Sequence, residues 1–160
     1  MRFARWGASG PATDRLTVGA PRFHQLRERR LLAPRGTPQT LGDLAKHDLV
    51  HYVTTLGAKS LGFEYPEAGK YRFLPMSGPV VVNNSDAYNA ACLAGLGLIQ
   101  APEIGVREHL ARGDLVEVLP QYRPEPMALS LLYAHRRNLA KRVRTFMEWI
   151  SEVLNPVLAR

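Results

Sequence analysis

Between Val80 and Ile99 the chain reads Val-Val-Val-Asn-Asn-Ser-Asp-Ala-Tyr-Asn-Ala-Ala-Cys-Leu-Ala-Gly-Leu-Gly-Leu-Ile, an order that few folds accommodate. Val80 to Val82 suit a buried parallel strand, and the small residues beyond the polar turn suit a helix packed against it. Asn84 or Ser85 is positioned to cap that helix, Gly95 to end it in the left-handed conformation, and Leu98-Ile99 to begin another strand. Gly97 is expected to let that second strand lie close against the helix. The segment therefore reads as a βαβ unit. The first turn of its helix leaves several N–H groups without intrahelical partners, a setting that attracts carboxylates and phosphates. Plain capping in a structural crossover explains the same residues, and both readings stand at this point.

The rest of the chain surrounds that unit with short elements. Residues 1–15, rich in Gly, Ala and Pro, are expected to be loosely held, and Leu16 to Ala20 forms a short strand ended by Pro21. Phe23, Leu26 and Arg30 have helical spacing, so a helix is expected over Phe23 to Leu32, stopped by Pro34 and Gly36. Thr40 is placed to cap a short helix over Leu41 to Lys46, followed by a strand over Asp48 to Val53. Pro66 to Gly69 form the turn of a hairpin between Phe63 to Tyr65 and Lys70 to Leu74. Pro102 introduces a helix over Glu103 to Arg112 with Gly113 as its stop, and a strand follows over Asp114 to Leu119. Tyr122 to Pro126 is a connector, and Met127 to Tyr133 a strand apolar enough to be covered on both faces. Leu139, Val143, Phe146, Met147, Ile150 and Leu154 share one face of a last amphipathic helix, which Pro156 limits. Strands alternating with helices over short loops define an α/β protein with a mainly parallel sheet flanked by helices, closed by a C-terminal amphipathic helix. Ligands of such sheets bind beyond the carboxyl ends of the strands. Three loops qualify: Thr54 to Gly57, Asn83 to Asp86, and Gln100 to Ile104.

Composition narrows the function classes. The hydrophobic share of 46% with 22% charged describes a globular chain, and the apolar runs fall short of the roughly 20 residues a membrane helix requires. With no secretory leader recognisable at Met1 to Gly10, a cytoplasmic protein without membrane partners is expected. Cys92, the one cysteine, lies in the apolar helix and reads as a small buried hydrophobe in a reducing compartment. The net charge of +7 gathers at Arg22, Arg27, Arg29, Arg30 and Arg35, and again at Arg136, Arg137, Lys141, Arg142 and Arg144. Neither group is interleaved with stacking aromatics, so solvated basic faces are expected rather than a nucleic-acid surface. His24, His47, His51, His109 and His135 show no metal-ligand spacing and no nucleophile motif around them. Asp43 and His47, four apart on a short helix, read as a local ion pair. With no phosphate loop or dinucleotide fingerprint either, the chain is not read as an enzyme, and neither a metal nor a cofactor is expected.

A series of short motifs carries a resemblance. The chain presents Gly19-Ala20-Pro21, Gly36-Thr37-Pro38, Asp43-Leu44-Ala45-Lys46-His47, Val82-Asn83-Asn84 and Gly95-Leu96-Gly97-Leu98-Ile99. It continues through Leu110-Ala111-Arg112-Gly113-Asp114-Leu115-Val116 to Val118-Leu119-Pro120, and ends on Val143-Arg144, Phe146, Trp149-Ile150 and Glu152-Val153-Leu154. In this order and spacing, across Leu31 to Leu154, they resemble the effector-binding domain of LysR-type transcriptional regulators. The resemblance implies a fold like that of type-2 periplasmic binding proteins: two α/β lobes joined by crossover strands, with a small effector in the cleft. Residues 16–20 and the strand opening 127–160 would be the crossovers, residues 21–126 the second lobe, and the last helix part of a partial first lobe. Regulators of this family also carry an N-terminal winged helix-turn-helix, for which this sequence offers no counterpart. A fragment or truncated gene product is therefore expected, contacting DNA only through a winged-helix domain outside it.

The binding residues expected on this reading are Asn84 and Ser85 for polar contacts, Thr54 and Thr55 for hydroxyls, and Pro102 with Ile104 as an apolar wall. The effector is expected to be a small anionic or aromatic metabolite, and the chain to form a homo-oligomer, a dimer or larger, through the apolar face left by the missing first-lobe strands. A solute-binding protein feeding a transporter shares the fold and is the alternative.

Overall fold

A computed structural model describes residues 13–29, 36–134 and 140–158. In chain order the elements begin with β1 (Thr13–Gly19), β2 (Phe23–Glu28), β3 (His51–Tyr52), β4 (Phe63–Glu67), β5 (Lys70–Leu74) and β6 (Val81–Val82). They continue with α1 (Ser85–Leu93), β7 (Ile99–Pro102), α2 (Arg107–Arg112), β8 (Leu115–Glu117), β9 (Leu129–Ala134) and α3 (Lys141–Leu158). The chain forms two compact units, one spanning Arg22–Glu125 and a smaller one drawn from the flanking chain.

The larger unit is built on a mixed sheet. β3 pairs with β6 in parallel, His51 opposite Val81 and Tyr52 opposite Val82. On its other side, Val50 N–H donates to Leu98 O at 2.9 Å and Leu98 N–H to Asp48 O at 2.8 Å, a parallel bridge that leads into β7. β2 then lies antiparallel between β7 and β8. In this sheet β3, β6, β7 and β8 thus run one way and β2 runs against them. Leu26, Val50, Tyr88, Cys92, Ile99 and Leu115 fill the core under α1, while Leu44, Leu49, Phe63, Leu98, Val118 and Leu119 fill a second core.

β2 corrects the helix expected over Phe23 to Leu32. Phe23 and Leu26 fit helical spacing, but residues 23 and 25–27 are all buried in a strand flanked on both sides, with Arg30 to Leu32 outside the described residues. Polar side chains disguised it. Gln25 Nε2 donates to Tyr122 O at 2.5 Å, and Arg27 Nη1 pairs with His47 Nδ1 at 2.5 Å, so these nitrogens find partners inside, while Gln25 Oε1 is buried without one. Arg27 is therefore no part of a solvated basic face, although Arg22 and Arg29 are exposed. Asp43 and His47 do not act as the expected ion pair. Asp43 closes a capping box with Thr40 at the start of a 3-10 turn over Leu41–Lys46, and His47 faces Arg27. Hydrogen bonds from Gln39 N–H and from Thr40 hold the Asp43 carboxyl below its ordinary range.

The expected hairpin is present as β4 and β5, with Glu67 opposite Lys70 and a two-residue turn at Ala68-Gly69. Both turn residues have positive φ, 50° and 74°, the pattern of a primed turn that matches strand twist. Ala68 is a poor occupant of that conformation. Ala68→Asn is expected to raise stability by about 0.5–1 kcal/mol in thermal melts, and a lowered midpoint would contradict the turn assignment. The helix expected over Glu103 to Arg112 is broken at Val106, whose burial takes the backbone out of helical geometry between a 3-10 turn over Glu103–Gly105 and α2.

In the smaller unit β1 pairs antiparallel with β9, Leu16 opposite Leu131. The part of the expected loose segment up to residue 12 lies outside the described residues, and Thr13 to Arg15 already belong to β1. Leu158 of α3 packs so closely on Gly19 that a Cβ there would sit 2.6 Å from Leu158 Cδ1. Two expectations fail in this unit. β9 is not covered on both faces, since Leu129 and Leu132 are exposed, and Pro156 lies inside α3 rather than limiting it. Proline there forfeits one hydrogen bond near a helix end, and Leu158, the buried residue beyond it, gives the last turn a reason to persist. Leu139 lies outside the described residues, and Phe146, Trp149 and Val153 of α3 are exposed.

Candidate functional site

Parallel pairing sets where the loops emerge. Val53 N–H donates to Val82 O at 2.9 Å, one step beyond the Tyr52–Val82 pair, so the chain leaves β3 at Thr54 level with the exit of β6 at Asn83. Leu49 is level with Leu98, and counting along the two parallel strands brings Pro102 level with Val53. All three candidate loops thus leave the sheet at one edge.

Each loop is braced from within. Asn84 is the N-cap of α1, its Oδ1 accepting from Ala87 N–H at 2.9 Å. Ser85 and Asp86 occupy the first two helical positions, where an N–H has no intrahelical carbonyl to reach, and both are exposed. Gly95 takes φ 79° just after the helix, as expected of its C-terminal stop. Gly97 serves a different close approach from the one expected. A Cβ there would lie 2.8 Å from Asp48 O and 2.9 Å from Val50 N, so its neighbour is the strand leading into β3 rather than the helix. The Thr54–Gly57 loop is fully exposed, and beyond it Ser60 Oγ accepts from Gly62 N–H and pairs with His51 Nδ1 at 2.9 Å. Partial burial lowers the pKa of His51, favouring a neutral ring.

The third loop is tied to α1. Asn89 Nδ2 donates to Gly105 O at 3.3 Å, and Gln100 N–H donates to the Tyr88 hydroxyl at 2.9 Å. Burial pushes the Tyr88 hydroxyl above its ordinary range, so it stays protonated. The Gln100 side chain accepts from Glu64 N–H and donates to Glu64 O, at 2.9 and 2.7 Å, pinning β4 over the sheet. Sequence reasoning named none of Tyr88, Asn89 or Gln100 as supports. A buried glutamine cannot be told from an exposed one by pattern alone.

Of the expected binding residues, Thr54, Thr55, Asn84, Ser85 and Ile104 are exposed and Pro102 is half-buried. Thr54, Thr55, Asn84 and Ser85 lie on or just beyond the first two loops at the shared edge, whereas the expected loop Gln100 to Ile104 is in fact the end of β7, with Pro102 paired to Phe23, followed by the 3-10 turn that holds Ile104. The edge can present free N–H groups, hydroxyls and apolar surface to a small molecule. Below it, Cys92 is fully buried with its thiol pushed up to about 12, chiefly by burial, which suits a packing residue and not a nucleophile. Glu117 on β8 is partly buried, which raises its pKa. Hydrogen bonds and charge from Arg123 and His24 outweigh that and hold the carboxyl below its ordinary range. Among the described residues, no cluster of His, Cys, Asp and Glu could hold a metal ion, and no helix is long and apolar enough to cross a membrane.

Residues 12–155 match the family described as the LysR substrate binding domain. An uncharacterised HTH-type transcriptional regulator of Escherichia coli K12, YhjC, is 46% identical over 123 residues, which is 77% of this chain and 41% of that protein. A second, from Haemophilus influenzae, is 25% identical over 127 residues, 79% of this chain and 43% of the relative. The chain thus spans about two fifths of the length of these curated relatives. Among solved structures, the regulatory domain of AphB from Vibrio vulnificus superposes with a TM-score of 0.69 at 22% identity, over 88% of this chain and 69% of that one. CrgA of Neisseria meningitidis, a LysR-type transcriptional regulator, gives 0.72 at 21% identity, over 94% of this chain and 50% of that one. These structures agree with the α/β fold expected.

Proposed function

The chain belongs to the LysR substrate-binding domain family, and from that premise we propose that it is the effector-sensing part of a LysR-type transcriptional regulator. A small anionic or aromatic metabolite binds at the edge formed by the three loops, in the effector cleft of the intact regulator. Thr54, Thr55, Asn84 and Ser85 supply polar contacts, with the free N–H groups of Ser85 and Asp86 behind them, and Pro102 and Ile104 supply the apolar wall. The observation that carries this reading is the shared edge, set by parallel register. DNA contact belongs to a winged-helix domain outside this chain, and the intact protein works in the cytoplasm. An effector acts there only through its different affinity for two arrangements of the regulator. The transport alternative shares the fold, but the matched relatives are transcriptional regulators.

Asn84→Ala combined with Ser85→Ala is expected to weaken effector binding by at most about 3 kcal/mol in calorimetric titration. Because Asn84 also caps α1, Ser85→Ala alone separates the two effects: it leaves the cap intact and still weakens binding. Unchanged affinity in both variants would refute the assignment. The exposed Leu132, Phe146, Trp149 and Val153 of the smaller unit support self-association. Sedimentation is expected to give a dimer or larger species, and a well-folded monomer would refute that.

A further inference from the structure

Glu103, the residue after Pro102 in the third loop, is held from several sides. Its N–H donates to Arg22 O at 2.9 Å, Arg107 Nε on α2 lies 3.5 Å from its Oε1, and His24 Nε2 on β2 lies 3.2 Å from its Oε2. The other ring nitrogen of His24, Nδ1, lies 3.0 Å from Glu117 Oε1 on β8. Arg123 grips that second carboxylate with two N–H groups, at 2.9 and 2.5 Å. The imidazole therefore stands between two glutamate–arginine pairs, one at the candidate loop and one in the segment that leads out of the larger unit.

An ionised carboxylate only accepts hydrogen bonds, so His24 holds both glutamates only when both ring nitrogens carry hydrogen. A neutral imidazole has one N–H and one bare lone pair, and one carboxylate then faces that lone pair across about 3 Å. Each carboxylate keeps its own arginine in either state. Losing the proton thus strands no charge but opens one end of the bridge. The His24 side chain is only 12% exposed, which limits how well water can fill the gap.

We propose that His24 is a positioning residue that works as a proton-operated clamp: its imidazolium links the side chains of Glu103 and Glu117, and deprotonation releases one of the two, while the backbone ladder of β2 to β7 and β8 stays in place. The geometry of the third loop then depends on pH, and with it the grip on an anionic ligand. The proposal rests on the effector reading only for what that loop touches.

The test is a proton–nitrogen NMR titration of the full chain between pH 5 and 8, the span over which histidine changes charge. The groups that face His24 from neighbouring elements are Glu103, Glu117 and, through them, Arg107 and Arg123. A His109→Gln background removes the imidazole of α2, which lies 3.2 Å from Asp114, as a second source of shifts. In that background the amides of Glu103, Ile104 and Arg123 are expected to move with one common midpoint, the same as that of the His24 ring protons. Adding His24→Gln is expected to abolish the shared titration while the fold persists. If that variant does not fold, Glu117→Leu, which removes the acceptor, serves instead: Ile104 still follows the ring and Arg123 stops doing so. Amides that stay still across the range, a midpoint that survives His24→Gln, or Arg123 still following Ile104 in Glu117→Leu would each overturn the clamp. No ligand is added, so a failed clamp leaves the effector reading standing, and a chain that binds no carboxylate leaves the clamp standing.

Discussion

Gly78→Ala is expected to lower stability by about 3 kcal/mol or more, a fall in the thermal midpoint on the order of 10 °C. A Cβ at Gly78 would collide with Leu49 O and sit 3.0 Å from His51 Nε2. The nearer of these is backbone, so no side-chain rotation relieves it. Leu49 is buried and its N–H donates to Ser77 O at 2.8 Å, which locks the two segments at the point of contact. Relief requires the Ser77–Val80 segment to swing away from the strand leading into β3. That strains the bonds from His51 N–H to Val80 O and from Val53 N–H to Val82 O, both 2.9 Å. The damage then reaches the site, because β6 sets the level at which Asn84 starts α1. Gly42→Ala is the control, since the nearest atom to its Cβ is Thr40 Oγ1 at 3.6 Å. Melts in which both variants match the parent would contradict this account of β3 and β6.

Leu26→Ala is expected to cost about 2–5 kcal/mol, the range for a large aliphatic side chain removed from a core that cannot collapse. Leu26 is fully buried on the central strand β2, among Val50, Tyr88, Cys92, Ile99 and Leu115. Those neighbours come from β7, β8, the residue leading into β3 and α1, so the hole opens at a junction and no single element can close it. The Leu26 carbonyl is also the acceptor for Cys92 Sγ at 3.6 Å, which seats α1 on the strand. Hydrogen exchange across α1 should therefore quicken together with the loss of stability. Leu26→Met, which conserves volume, should cost less than about 1.5 kcal/mol. If Leu26→Ala melts like the parent, the core does not lie where β2 puts it.

What could be read from the residues depended on whether local pattern and burial agreed. The βαβ unit was legible in its elements, with β-branched Val81 and Val82, the cap at Asn84, small residues through Ala91 and a positive-φ glycine at Gly95, but not in its burial: the strand expected to be buried over Val80 to Val82 leaves Val81 49% exposed. The hairpin and the cap at Thr40 were legible in the same way, although the turn is narrower than the expected Pro66 to Gly69, since Pro66 and Glu67 belong to β4 and pair with Tyr71 and Lys70. β2 was not, because a strand covered on both faces normally reads as apolar, whereas this one buries Gln25 and Arg27 against partners 97 and 20 residues away. Such satisfaction is a property of the fold and leaves no periodic trace. α3 misled in another way. Its apolar spacing located the helix correctly, but spacing cannot say what covers the face, and Phe146, Trp149 and Val153 remain exposed. The three loops of the candidate site followed from strand order, whereas their supports at Tyr88, Asn89 and Gln100 depend on contacts that only a folded chain brings together.

The measurement that reaches the central claim most directly is an NMR chemical-shift map of the full chain titrated with a panel of small aliphatic and aromatic carboxylates. Saturable shifts gathered at the amides of Thr54, Thr55, Ser85, Asp86 and Ile104, with the smaller unit unmoved, are the predicted result. Saturable shifts confined to β8 or to α3, with those five amides still, would contradict it.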